Sequence, residues 1–104
     1  MKVAISSKGE TLNCEMDSRF GRCRFFAIYD SEDRSVVFIK NTACSLTEGA
    51  GPAALKLLVA QNVVKLVSEN FGVKIKTLAS DLNIQLIVMR DSQTIESIIN
   101  MLNH

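Results

Sequence analysis

A chain of 104 residues is the size of one domain, and with 47% hydrophobic against 22% charged residues it lies outside the composition range of disordered chains. A formal net charge of +1 excludes a globally basic nucleic-acid-binding surface, so any anion site has to be local. No apolar run approaches the ~20 residues that span a bilayer, and Met1 to Lys8 carries too short an apolar stretch for a signal peptide, so a single cytoplasmic domain over residues 1–104 with no membrane or nucleic-acid partner is expected.

Val3-Ala4-Ile5 opens a short buried strand, and Arg24 to Asp30, rich in aromatic and β-branched residues, predicts a second. The polar run Ser31-Glu32-Asp33-Arg34 then turns the chain into a third strand, Val36 to Lys40, making an antiparallel hairpin of strands two and three. Pro52 suits the first turn of a helix whose face is Leu55, Leu58 and Val59 at i, i+3, i+4. Val63 to Val67 reads as a strand covered on both faces. Phe71, Ile75, Leu78, Ala79 and Leu82 recur at helical spacing, and Ile84 to Met89 is another apolar strand. Asp91 or Ser92 is the expected N-cap of a last helix with Ile95, Ile98, Ile99 and Leu102 on its buried face. The order β-β-β-α-β-α-β-α predicts a three-layer α/β/α sandwich on a five-stranded mixed sheet with one antiparallel strand.

The connection from Ser6 to Cys23 lacks periodicity and exceeds the ~12 to 15 residues usual for idle loops, which makes it the first place to look for function. It contains Asp17-Ser18-Arg19-Phe20-Gly21-Arg22-Cys23, with Arg24 following; the arginines either meet an anion or are merely solvated. Thr47-Glu48-Gly49-Ala50-Gly51-Pro52 runs small residues into a helix N-terminus, a setting that favours an anion, although glycines there also serve as plain turn formers. Ser68 to Gly72 and Arg90 to Thr94 link strands to helices at the carboxyl ends of the strands, where open α/β sheets bind ligands.

The three cysteines, Cys14, Cys23 and Cys44, have no Cys-x-x-Cys spacing, so reduced thiols are expected rather than a disulfide framework or a zinc knuckle. If strand three runs parallel to strand one, all three thiols leave the sheet at the same end and could surround one crevice as soft metal ligands; buried cysteine as a small hydrophobe is the alternative. Catalysis is not expected. The sole histidine, His104, ends the chain, so a Cys–His pair or Ser–His–acid set would rest on a terminus, and strand one carries no carboxylate for two-metal chemistry.

On Asp17-Ser18-Arg19-Phe20-Gly21-Arg22, the Val-Ala-Ile opening strand, the Phe26-to-Asp30 strand, Gly49-Ala50-Gly51 and Asn70-Phe71-Gly72, the chain resembles the dinitrogenase iron-molybdenum cofactor biosynthesis family over nearly its whole length. That family includes cofactor carriers of nitrogenase assembly and the C-terminal domain of the cofactor-precursor synthase. The resemblance implies a ribonuclease H-like fold without nuclease activity, and binding or carriage of an iron–sulfur cluster or iron-molybdenum cofactor precursor for metallocofactor assembly or acceptor proteins. It further implies cofactor contacts at Arg19, Phe20, Gly21, Arg22, Gly49, Gly51, Asn70 and Gly72. Carrier members often have His-Phe-Gly where this chain has Arg19-Phe20-Gly21, and a guanidinium cannot ligate a metal. Where the family often has Gly-Pro-Asn, this chain has Gly72-Val73-Lys74. A cofactor carrier is therefore the first functional expectation, and a protein-interaction or regulatory module that binds no metal is the second.

Overall fold

Sequence periodicity placed every element in the right order. In the computed structural model, which describes residues 1–103, the chain runs β1 (Lys2–Ser7), β2 (Phe25–Asp30), β3 (Val36–Lys40), α1 (Ala50–Ala60), β4 (Val63–Ser68), α2 (Val73–Asp81), β5 (Gln85–Val88) and α3 (Ile95–Leu102). His104, weighed above as a partner for cysteine, lies outside the described residues. The strands form one sheet in the order β3-β2-β1-β4-β5, with β2 antiparallel to both neighbours and β1, β4 and β5 mutually parallel, the ribonuclease H-like arrangement.

Alternation along the strands builds two cores. Ala4, Phe26, Ile28 and Leu66 point to one face, where Ala54, Leu55 and Leu58 of α1 and Ile75 and Ala79 of α2 cover them. Val3, Ile5, Ala27, Tyr29 and Val67 point to the other, against Ile95, Ile98 and Ile99 of α3. Period-2 strands between amphipathic helices thus give three layers, two helices on one side and one on the other. The hydroxyl of Tyr29 donates to Asn103 Oδ1, fastening the end of α3 to the sheet. Both α1 and α2 are followed by asparagines in the left-handed region, Asn62 (φ 63°) and Asn83 (φ 57°), the residue type after glycine that tolerates a helix-ending αL turn.

Helix α1 begins at Ala50, which puts Pro52 in its first turn as expected, where the ring's missing N–H is no loss. The structure departs from the periodicity in two places. The N-cap of α3 is Thr94, whose Oγ1 accepts the Ser97 N–H at 3.1 Å, and not Asp91 or Ser92. Those residues precede a stretch already engaged by the long loop: Met16 N–H donates to Gln93 O, Ser92 Oγ donates to the Glu15 carboxylate, and Glu15 bridges Thr94. Finally, Val59, Leu78 and Leu82, which helical spacing assigned to buried stripes, are 39%, 36% and 50% exposed, and Phe71 lies ahead of α2 and not in it.

The Thr94 cap supports only α3, on the sheet face away from α1 and α2. Thr94→Ala is expected to lower unfolding free energy by about 1 kcal/mol in urea titrations, with native secondary structure unchanged by circular dichroism.

Candidate functional site

The loop between β1 and β2 is held at both ends. Ser7 pairs Met16, and Arg19 pairs Asn70 across from the β4–α2 turn, where the Asn70 N–H donates to Ser18 O at 3.2 Å. Immediately after the second of these points Phe20 turns inward, 4% exposed, and packs its ring on Phe26 and Phe71 at centroid separations of 5.5 Å each. Burying Phe20 brings the next residue against helix α1. A Cβ on Gly21 would lie 2.7 Å from the Gly51 nitrogen and 2.8 Å from its Cα, so only glycine fits that backbone-to-backbone contact. The N-cap of α1, Gly49, has φ 71°, also a glycine conformation.

These contacts enclose a cavity of about 500 Å³ at the carboxyl ends of β1, β3 and β4. Arg19, Phe20, Gly21 and Arg22 line it from the first loop, Gly49 and Gly51 from the start of α1, and Asn70 and Gly72 from the β4–α2 turn. The lining also includes Ser18, Ala50, Pro52, Val73, Lys74 and Ile75, which were not among the expected cofactor contacts; Lys74 lies in the first turn of α2. Arg24 and the Arg90-to-Thr94 turn do not reach the cavity.

The electrostatics of the lining are one-sided. Helices α1 and α2 both direct their N-termini at the cavity, and neither has a side-chain cap or an acidic residue in its first turn. Among the described residues the N–H groups of Ala50, Gly51, Val73 and Lys74 have no protein acceptor. By contrast α3, which is remote from the cavity, has both Thr94 as cap and Glu96 in its first turn. Arg19 and Lys74 add positive charge, and among the described residues no carboxylate lines the cavity. Charge along α2 runs against its dipole: Lys74 and Lys76 stand at the positive end, Asp81 at the negative end. That inverted order is unfavourable against the dipole, and it was the sequence signal that could have pointed to Lys74.

Two buried groups hold this arrangement in place. Asp17, 5% exposed, accepts the Arg19 N–H at 2.9 Å and its Nε–H at 3.4 Å, fixing the base of an otherwise exposed guanidinium. Asn41, fully buried, donates to Gly21 O at 3.1 Å and Cys23 O at 2.8 Å and accepts the Ala43 N–H at 3.1 Å, joining the first loop to the loop after β3. Arg22 works the same seam from outside, donating to the carbonyls of Cys44 (3.2 Å), Leu46 and Thr47 (3.3 Å). Its guanidinium is therefore largely committed to protein carbonyls, while among the described residues the terminal nitrogens of Arg19 have no protein acceptor. Neither Asp17 nor Asn41 was assigned a role from sequence, because isolated Asx residues in loops are common.

The three thiols do not surround the cavity. Topology brings Cys14, Cys23 and Cys44 to the same end of the sheet, yet they take different sides of it, and none lines the cavity. Cys23 is wholly buried in the α1–α2 core with its Sγ donating to Phe20 O at 3.2 Å. Burial, and secondarily the charge of Asp17, push its thiol up to about 12. Cys14 belongs to the turn whose carbonyl accepts the first N–H of α3, toward the opposite core, and Cys44 sits half-buried in the loop that Arg22 grips. Among the described residues no three His, Cys, Asp or Glu side chains gather closely enough to hold a metal ion. The expected crevice of thiols is corrected accordingly: end-of-sheet proximity does not fix which face a loop side chain chooses. The Cys14 thiol, 3.2 Å from Thr11 Oγ1, is held below the usual thiol range by the Thr11 side-chain and backbone hydrogen bonds.

Fold and site together define a small ribonuclease H-like α/β/α domain with a cavity at the carboxyl ends of its strands whose described lining is cationic and holds no carboxylate. The chain belongs to the dinitrogenase iron-molybdenum cofactor family, whose sequence profile matches residues 1–104. Among solved structures it is similar to the apo form of the orange protein from Desulfovibrio gigas, at 22% identity and a TM-score of 0.90, covering 97% of this chain and 85% of that one. A protein from Thermotoga described as a candidate NifB is 28% identical with a TM-score of 0.83, again over 97% of this chain and 85% of the other. A search of curated proteins finds no match.

Two outcomes follow from this geometry. Gly21→Ala forces its methyl into main-chain atoms that cannot move aside independently, and should cost roughly 1–3 kcal/mol in denaturant titrations while shifting the amide resonances of Ala50 and Gly51. Near pH 8 a thiol reagent should modify Cys14 first and Cys23 only on unfolding, with Cys14→Ser removing the fast phase. Because the Cys23 pKa is raised on folding, its stabilising contribution is complete below the unfolded thiol's pKa, about 8.5, and is lost as pH rises toward about 12.

Proposed function

We propose that this chain binds and carries an anionic iron–sulfur or iron-molybdenum cofactor precursor as cargo, and delivers it to a metallocofactor assembly or acceptor protein. The supporting observation is the convergence of Arg19, Lys74 and the uncapped N-termini of α1 and α2 on one cavity, with no carboxylate among its described lining residues, in a member of this family. A metal–sulfur species with net negative charge meets N–H donors, a guanidinium and an ammonium there, groups that stabilise sulfide and thiolate through charge-assisted hydrogen bonds.

In this reading Arg19, Phe20, Gly21, Gly49, Gly51, Asn70 and Gly72 form the receptacle, Lys74 joins them, and Arg22 shapes the loop beside it. Phe20 supplies the apolar floor. Among the described residues no cysteine or histidine lines the cavity, so in this reading the cargo keeps its own ligands and is held by charge and hydrogen bonding. Such a grip suits a carrier, because release requires no metal–protein bond to break. The absence of soft donors also favours a second reading, a regulatory module on the same fold that binds a metal-free anion. Neither reading asks the chain to catalyse a reaction.

Protein purified without oxygen from an iron-replete host, and protein titrated with tetrathiomolybdate, should show a charge-transfer spectrum retained through gel filtration. Arg19→Gln combined with Lys74→Gln should weaken thiomolybdate binding at least about tenfold and flatten its dependence on salt. Colourless preparations that stay so after iron, sulfide and thiomolybdate treatment, yet bind phosphate in the cavity, would favour the metal-free reading instead.

A further inference from the structure

The apolar residues that the core leaves out of α1 and α2 lie together. Val59, Leu78 and Leu82 line a groove of about 560 Å³ between the two helices, with the buried Leu55 at its floor. Val59, Leu78 and Leu82 are each more than a third exposed, and amphipathic helices of an isolated domain ordinarily turn such residues inward. The groove adjoins the cargo cavity: Pro52 lines both. Along α2 the residues i, i+4 and i+8 are Lys74, Leu78 and Leu82, so one stripe of a single helix passes from the cavity into the groove.

Charge selects the occupant. Among the described residues Lys56 is the one charged residue that lines the groove, with no carboxylate beside it, and Lys74 marks its cavity end. A second copy of this chain, meeting the groove across a two-fold axis, would present the same lining and set lysine toward lysine. Two parallel ridges with a leucine-lined trough between them fit a helix laid lengthwise. We infer that the α1–α2 groove docks an amphipathic helix of a partner protein, with apolar residues at i, i+3, i+4 and i+7 and acidic residues on its flanks. Identification of that partner as the recipient of the cargo rests on the carrier reading; the docking itself does not.

The probe is a fluorescein-labelled helical peptide of about 15 residues with leucines at those positions and glutamates on the flanks, beside a twin with lysines in place of the glutamates. Fluorescence anisotropy with no thiomolybdate or phosphate added should show saturable binding of the acidic peptide and at least about tenfold weaker binding of the basic one. Leu78→Ser with Leu82→Ser, both exposed in the native chain, should lose about tenfold or more of the affinity with circular dichroism unchanged. Lys56→Glu should narrow or reverse the preference between the peptides. Arg19→Gln, which lies in the cavity and not in the groove, should leave peptide binding intact, so failure of the carrier reading and failure of this one are distinguishable. Equal affinity for the two peptides, affinity indifferent to the leucine substitutions, or a concentration-dependent dimer abolished by those substitutions would overturn the inference.

Discussion

The contact on which the site depends is the one between two stretches of main chain, Gly21 on the first loop and Ala50-Gly51 at the start of α1. Nothing larger than a hydrogen fits on Gly21 where it meets the Gly51 nitrogen. The approach is driven from one residue away: Phe20, clamped between Phe26 and Phe71, takes its place in the core that α1 and α2 share. Core packing therefore sets the distance between the loop and the helix terminus. Gly51 repeats the economy on its other side, where a Cβ would press on Ile75 of α2 at 3.1 Å. Small residues let three segments close on one another, and what remains between them is the cavity.

A cavity so made inherits the unsatisfied ends of the helices that wall it. Each helix N-terminus leaves N–H groups without intrahelical partners, and most proteins answer with a side-chain cap or an acidic residue. The chain does this at α3, with Thr94 and Glu96, and omits it at the two helices that face the cavity. The omission is compounded by lysines at the start of α2, each unfavourable against the dipole by a few tenths of a kcal/mol to about 1 kcal/mol. A native state that leaves donors and like charge together in one concavity gains from any anion that enters it. The buried Asp17 carboxylate balances part of this charge from below without entering the cavity itself.

Most of the architecture was legible because strand and helix periods are local properties. The alternation of Ala4 against Val3 and Ile5, or of Ala27 against Phe26 and Ile28, is visible in the chain and reappears as the division between the two cores. The glycine-bearing segments were also legible as candidate walls of a site, since strand order sends the loops after β1, β3 and β4 to one end of the sheet. What could not be read was which way loop side chains turn. The cysteines reach the expected end of the sheet and then diverge, Cys23 into the core and Cys14 toward α3. The cap of α3 was displaced for a similar reason, a tertiary bridge between the long loop and residues 92–94 that no local pattern encodes.

The misassigned helical residues have a different cause. Periodicity identifies a face of a helix as apolar, but it does not say what covers that face, and a stripe wider than the sheet requires looks the same in sequence as one that fits. In α2 the sheet takes Ile75 and Ala79, one narrow strip, while Leu78 and Leu82 fall beyond its reach. Helix α3 makes the contrast: its stripe of Ile95, Ile98 and Ile99 is consumed entirely by the opposite face of the sheet. Two helices side by side on one face must each give up part of their apolar surface to the trough between them, and here that trough runs into the wall of the cavity at Pro52. A cavity built by close main-chain approach and a groove left by incomplete coverage are thus two consequences of the same pair of helices.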